Sequence, residues 1–263
     1  MKSMIALIGG EEFADGFEDV HANLLELSFS NRSQKNGKPV QVVFLPTCAT
    51  DDGPDTVTYW CDEATKRLEA VGAKVKPLHI VDRPSADDPE NARLISEADW
   101  IYIGGGYPHV GMRILRGTRA QQALEAAWQR GALIAGASAG AMMLGAQSWV
   151  ITPELDAAVT KLFSQGAGIS EWDLPLPPAL ECLGFVPRSI CWPHANQLFS
   201  LRWLKSGLLP PHHFVIGIDE QTAFVQTANG GWKVLGRGKV TLVDDQFQVK
   251  ELNPGSQIEN LIM

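Results

Sequence analysis

The stretch of this chain whose spacing holds the most chemistry is Gly136-Ala137-Ser138-Ala139-Gly140. An apolar run from Ala132 to Ala135 leads into this G-x-S-x-G, and small and apolar residues from Ala141 to Leu144 follow it. Strand, sharp turn and helix is the setting in which such a motif presents a serine hydroxyl as a nucleophile. Glycine is expected on both sides, because a Cβ in so tight a turn collides with the neighbouring strand or helix. The helix start behind Ser138 brings free N–H groups and the positive end of the dipole, so developing negative charge is favoured there. The Ala139 N–H is then a candidate oxyanion donor. The competing reading is a tightly packed strand-to-helix turn with Ser138 as an N-cap.

A second glycine cluster closes the preceding apolar run: Ile103-Gly104-Gly105-Gly106-Tyr107-Pro108-His109. The next glycine after Gly106 is Gly111, so the dinucleotide pattern G-x-G-x-x-G is not met. An anion-cradling turn fits better, with Gly105 or Gly106 offering a second oxyanion N–H. A flexible strand-end turn is the alternative.

A serine needs a base, since its hydroxyl is a poor nucleophile at neutral pH. Six histidines compete: His21, His79, His109, His194, His212 and His213. His194 stands apart because it follows the strand-like Ser189-Ile190-Cys191-Trp192 and Pro193, and so projects from a strand end. An acid to orient it is offered by Asp219 or Glu220, set between Phe214–Ile218 and Thr222–Val225. Adjacent residues on extended chain point to opposite sides, so at most one of the two faces His194.

These residues must be positioned by a scaffold, and the first half of the chain spells one out. Strand signals at 4–8, 41–45, 74–78, 99–103 and 132–136 alternate with helix signals near 17–29, 55–71, 90–97 and 119–130. That alternation predicts an α/β fold, a mainly parallel sheet sandwiched by helices. Residues 146–193, with the Leu174-Pro175-Leu176-Pro177-Pro178 cluster, read as an irregular insertion. A helix is expected over 195–206. Successive strands over 213–252, with turns at Asn229-Gly230-Gly231 and Gly236-Arg237-Gly238, predict an antiparallel C-terminal edge. A single domain over 1–263 accommodates all of this.

Composition narrows the partners. With 45% hydrophobic and 20% charged residues the chain is globular, and 22 basic against 30 acidic residues give a net charge of -8. The absence of any Lys/Arg-rich run argues against nucleic acid and anionic membrane surfaces, and leaves a small-molecule or peptide substrate. No apolar stretch reaches the length of a membrane helix, and the chain opens on a strand signal, so a cytoplasmic location is expected. Cys48, Cys61, Cys182 and Cys191 lack C-x-x-C spacing, so no metal site is expected and reduced thiols are the default.

Taken together, Ile103-Gly104-Gly105-Gly106, Gly136 to Ala141, Pro193-His194 and Gly217-Ile218-Asp219-Glu220 resemble the serine peptidases that include dipeptidase E and cyanophycinase. The resemblance runs fairly continuously over 4–145, including Leu115-Arg116-Gly117-Thr118, and resumes over 190–227. It implies a fold like that of class I glutamine amidotransferases with serine at the elbow. It also implies Ser138 as nucleophile, His194 as base and Glu220 as the orienting acid. Gly105 and Ala139 are then the oxyanion donors, no cofactor is needed, and a homodimer would be ordinary.

The departures concern the substrate. Cyanophycinases continue the glycine turn with Asp-Gln, where this chain has Tyr107-Pro108, and carry arginines after the histidine, where only Arg202 is basic. Dipeptidase E-like proteins have phenylalanine at the position of Ala195. The expected function is a serine peptidase-type hydrolase acting on a small peptide or isopeptide, with Tyr107 as a wall and Arg202, or else Arg113, as an anchor. An amidase or esterase on a small metabolite and a non-catalytic binding protein are the alternatives.

Overall fold

The computed structural model describes residues 4–31, 38–152, 155, 157, 177–201, 204–227 and 229–261. Its first half follows the expected alternation: β1 (Met4–Ile8), α1 (Glu18–Ser30), β2 (Gln41–Leu45), a 3₁₀ segment (Thr47–Asp52), α2 (Pro54–Ala70) and β3 (Lys74–Pro77). Then come α3 (Arg83–Ala86), α4 (Pro89–Glu97), β4 (Trp100–Ile103), α5 (Pro108–Leu115), α6 (Arg119–Arg130), β5 (Leu133–Ala137) and α7 (Ala139–Leu144). Local chemistry fixes the ends of these helices. The Asp88 carboxylate accepts from the Glu90 and Asn91 N–H groups ahead of Pro89, and the Thr118 hydroxyl accepts from Gln121 N. Gly131 closes α6 in the left-handed conformation at φ 100°.

The strands of the second half are β6 (Gly145–Trp149), β7 (Ala179–Glu181), β8 (Val186–Trp192), β9 (Phe214–Ile218), β10 (Thr222–Gln226), β11 (Trp232–Gly236), β12 (Val240–Val243), β13 (Val249–Leu252) and β14 (Gln257–Ile258). An eight-stranded sheet has the order β14-β11-β10-β1-β5-β4-β2-β3. Its β1, β5, β4, β2 and β3 run parallel, and β10, β11 and β14 form the antiparallel edge. Odd and even positions divide between two cores. Met4, Ala6, Ile8, Phe44 and Tyr102 pack against α1 and α2. Ile5, Leu7, Val43, Ile101 and Ile134 pack against α4 to α7.

Three differences from expectation stand out. The segment 146–193 is not wholly irregular: its two ends carry β6, β7 and β8, while residues 158–176 lie outside the described residues. Those strands pair with β9, β12 and β13 in a second, six-stranded sheet of order β13-β12-β9-β8-β6-β7. Its inner face, with Cys191, Ile216, Ile218, Val240 and Leu242, shares a core with the large sheet. The turn at Gly236-Arg237-Gly238 therefore joins strands of different sheets rather than closing a hairpin. The helix expected over 195–206 is interrupted: one turn spans Ala195–Leu198, Phe199 is extended with its ring 5.3 Å from that of Trp192, residues 202–203 lie outside the described residues, and a π-helical segment covers Leu204–Leu208. Burying Phe199 against Trp192 and Gly217 competes successfully with continuing a helix of mixed propensity.

Register decides what meets at the top of the large sheet. Ile8 pairs with Ala137 and Ile103 with Gly136, so the C-terminal ends of β1, β5 and β4 lie side by side. Gly9-Gly10, Ser138 and Gly104–Gly106 follow these ends directly. This is the edge at which open α/β sheets bind ligands.

Candidate active site

Ser138 occupies the elbow between β5 and α7 at φ 50° and ψ −117°, a conformation that costs a non-glycine residue on the order of 1–3 kcal/mol. Its N–H donates to the Ile8 carbonyl at 3.0 Å, and its carbonyl accepts from Met142 N at 3.1 Å. The flanking glycines do the steric work expected of them. A Cβ on Gly136 would stand 2.4 Å from the Gly140 carbonyl oxygen, and one on Gly140 would stand 2.2 Å from that of Ile103. Gly105 lies directly beside the serine, where an added Cβ would be 3.3 Å from Ser138 Cβ and 3.7 Å from Oγ.

His194 comes to this hydroxyl from the second sheet. After β8 ends at Trp192, Pro193 and a left-handed His194 (φ 52°) turn the chain, and the imidazole reaches back so that Nε2 lies 3.0 Å from Ser138 Oγ. Its Nδ1 lies 2.8 Å from Glu220 Oε1. The carboxylate defines the tautomer, because Nδ1–H donates to it and leaves Nε2 to accept from the serine. The backbone holds the ring as well. His194 N donates to the Gly9 carbonyl at 2.8 Å, and the ring lies on Gly10 so closely that a Cβ there would stand 2.3 Å from Cε1.

Glu220 lies in the short crossing from β9 to β10, which is the crossing from the second sheet to the first. Its second oxygen accepts from Gln197 Nε2 at 2.6 Å and Asn196 Nδ2 at 3.4 Å, and its N–H donates to Asn196 Oδ1 at 3.0 Å. Asp219 points elsewhere, accepting from Lys239 N at 2.9 Å, so the alternation of extended chain settles the choice between the two acids.

Sequence reasoning passed over Asn196, Gln197, Gly9 and Gly10. The signals were present as a second glycine pair at a strand end and a polar pair after Pro-His, but their meaning depends on contacts more than 180 residues apart in the chain for Gly9 and His194. The other candidates fall into three groups. Tyr107 sits half-buried on the glycine loop, its N–H donating to the Cys48 carbonyl at 2.8 Å. Arg113 is engaged by Asp51 at 2.7 Å, and Arg202 lies outside the described residues. The remaining histidines stay away from Ser138: His21 is buried among Phe13, Phe17 and Tyr102, which holds its pKa down at about 4, and His109 stacks near Tyr107 with its pKa lowered by burial.

A parallel α/β sheet that sets a strained serine at a strand-to-helix elbow, with an imidazole and a carboxylate in line behind it, is the architecture of a serine hydrolase. The peptidase family S51 model matches residues 5–231, and the chain belongs to that family; it is a hydrolytic peptidase of the serine type. A cyanophycinase from Synechococcus elongatus is 25% identical over 238 residues, covering 85% of this chain and 69% of its own. An uncharacterized peptidase, YgaJ, from Bacillus subtilis (strain 168) is 28% identical over 220 residues, covering 79% of each. The crystal structure of a peptidase from an acI-B1 actinobacterium matches with a TM-score of 0.79 at 25% identity, over 98% of this chain and 97% of that one. A peptidase E-type protein from Listeria monocytogenes EGD-e, with a TM-score of 0.53 at 19% identity over 96% and 99% of the two chains, shares the fold. Among the described residues no helix is long and apolar enough to cross a membrane.

Proposed function

We propose that Ser138, His194 and Glu220 are the catalytic triad of a serine peptidase that cleaves small peptides. The observation that carries this reading is the unbroken line from Ser138 Oγ to His194 Nε2 at 3.0 Å and from His194 Nδ1 to Glu220 Oε1 at 2.8 Å. Ser138 attacks the scissile carbonyl while His194 takes the hydroxyl proton and becomes imidazolium, stabilised by Glu220. The oxyanion forms between the N–H of Ala139, at the start of α7, and that of Gly105, whose lack of a side chain leaves room beside Ser138. His194 then passes its proton to the leaving amine, the C–N bond breaks, and water activated by the same imidazole hydrolyses the acyl-enzyme.

The substrate is a short peptide rather than cyanophycin. Asn196 and Gln197, in the turn after His194, are engaged by Glu220. Tyr107-Pro108 replaces a polar pair in the glycine turn and offers an apolar wall at the mouth. A panel of dipeptides and tripeptides with acidic, basic and apolar residues on either side of the bond, run beside cyanophycin, tests this. Cleavage of short peptides that is abolished by Ser138→Ala, with cyanophycin left intact, is the expected result. Rapid cyanophycin breakdown that depends on Ser138 overturns the substrate assignment.

A further inference from the structure

The short turn after His194 carries two amides to which the mechanism above gives no task. That turn is closed on the base itself, because the His194 carbonyl accepts from Gln197 N at 2.9 Å and from Leu198 N at 2.8 Å. From it Asn196 and Gln197 both reach Glu220, 24 and 23 positions further along the chain. Asn196 takes the main chain: its Oδ1 accepts from Glu220 N at 3.0 Å, while its Nδ2 stands 3.4 Å from Oε2. Gln197 takes the carboxylate, its Nε2 donating to Oε2 at 2.6 Å.

The chemistry of the partners fixes the direction of these bonds. An ionised carboxylate has no proton to give, so only an amide nitrogen can face Oε2, and the Glu220 N–H can meet only an oxygen. Both carboxylate oxygens are therefore committed, Oε1 to His194 Nδ1 at 2.8 Å and Oε2 to Gln197. The last torsion of a glutamate is broad, so a single bond to Nδ1 would leave the plane of the carboxylate loosely defined. The bond from Gln197 defines it. Charged groups on the neighbouring loops are turned to other partners: Asp219 accepts from Lys239 N at 2.9 Å, Glu11 accepts from Gln221 Nε2 at 2.8 Å, and Arg237 Nη1 donates to Gln221 Oε1 at 3.2 Å. Among the described residues, His194 is the titratable side chain hydrogen-bonded to Glu220, and the rest of the hold on its carboxylate is amide.

From this arrangement we infer that Gln197 is a positioning residue of the peptidase, which by holding Oε2 of Glu220 sets Oε1 on His194, so that one turn carries the base and steers the acid. The inference rests on the triad reading. Glu220 orients the imidazole and stabilises the imidazolium formed when the proton leaves Ser138. Gln197 acts only through Glu220, so its effect belongs to kcat rather than KM.

Gln197 is exposed, so truncating it opens no cavity and the fold is expected to survive. Gln197→Ala should lower kcat about 10-fold and leave KM within about 2-fold, the low end for a hydrogen bond to a charged group, because water partly replaces an exposed amide. An unchanged kcat overturns the inference. The decisive readout is a double-mutant cycle with Glu220→Ala, which removes the carboxylate without adding a contact. In that background Gln197→Ala should cost less than about 2-fold more. Full multiplication of the two losses overturns the role of Gln197 and leaves the triad standing, whereas a Glu220→Ala protein with parental kcat overturns the triad reading and the inference with it.

Gln197→Glu supplies a sign that a merely structural role would not give. Two carboxyl groups at this distance raise the pKa of one of them; protonated it can donate to Oε2 as the amide does, and ionised it repels. The kcat of this variant, relative to the parent at the same pH, should be highest near about pH 5 and fall roughly 10-fold towards about pH 8. A ratio that stays flat over that range overturns the inference.

Discussion

Ser138 and His194 meet from two differently built parts of the molecule. The serine side is assembled from neighbours in the chain: β5, the elbow and α7 are consecutive, and the strain at Ser138 is locked in by glycines whose Cβ positions are filled by backbone. On the histidine side the parts are gathered from far apart. His194 follows β8 of the second sheet, Glu220 lies where the chain crosses between sheets, and the loop after β1 holds His194 and Gln221 through the Gly9 and Gly10 carbonyls. In the first region the clashes that forbid a side chain are with main chain. In the second, at Gly10, they are with the imidazole itself, which is able to move, whereas a Cβ on neighbouring Gly9 would meet the Asp219 carbonyl oxygen at 2.0 Å. The nucleophile is thus fixed by the fold, and the base is fixed by contacts that a single substitution would displace.

The largest effect expected from this contrast is on the base. His194→Ala should lower kcat roughly 10³-fold or more, and Glu220→Gln less, because groups acting as one unit are non-additive. His109→Ala, on the glycine loop, should leave turnover nearly intact. Steady-state kinetics on the peptide cleaved best decide it. Turnover lost in His109→Ala and kept in His194→Ala would move the base to the serine side and dissolve the comparison.

A pair of glycine substitutions sharpens it. Gly10→Ala places a Cβ 2.3 Å from His194 Cε1, against a side chain rather than main chain, and does so at φ 128°, so it strains the backbone as well. A displacement of about 1 Å at the base costs on the order of 10² in kcat. Gly140→Ala places its Cβ 2.2 Å from the Ile103 carbonyl oxygen, which is main chain. It should act mainly on stability, lowering Tm by roughly 5 °C. Kinetics at a temperature where both variants are folded separate the cases, and a folded Gly10→Ala protein that keeps its kcat would contradict the picture of a movable wall that holds the base.

The same contrast explains what was legible in the sequence. The serine side carries its information locally: the apolar run to Ala135 and the glycines at 136 and 140 predict strand, elbow and helix within a residue or two. His194 stands apart among six histidines by its place after a strand-like run, but its role and that of Glu220 come only from a resemblance, because residue types near them leave several histidines and two acids open. The second sheet was missed for a related reason. Its strands β6, β8 and β9 are separated by long connections, and their pairing depends on a partner that is not adjacent in the chain.

The most direct test of the account is where a serine-directed fluorophosphonate attaches. The line from Ser138 through His194 to Glu220 predicts one labelled peptide, containing residue 138, and labelling that slows sharply in His194→Ala because the hydroxyl loses its base. Labelling of another serine, or a folded and uninhibited protein that takes up no label, would contradict the claim that this elbow holds an activated nucleophile.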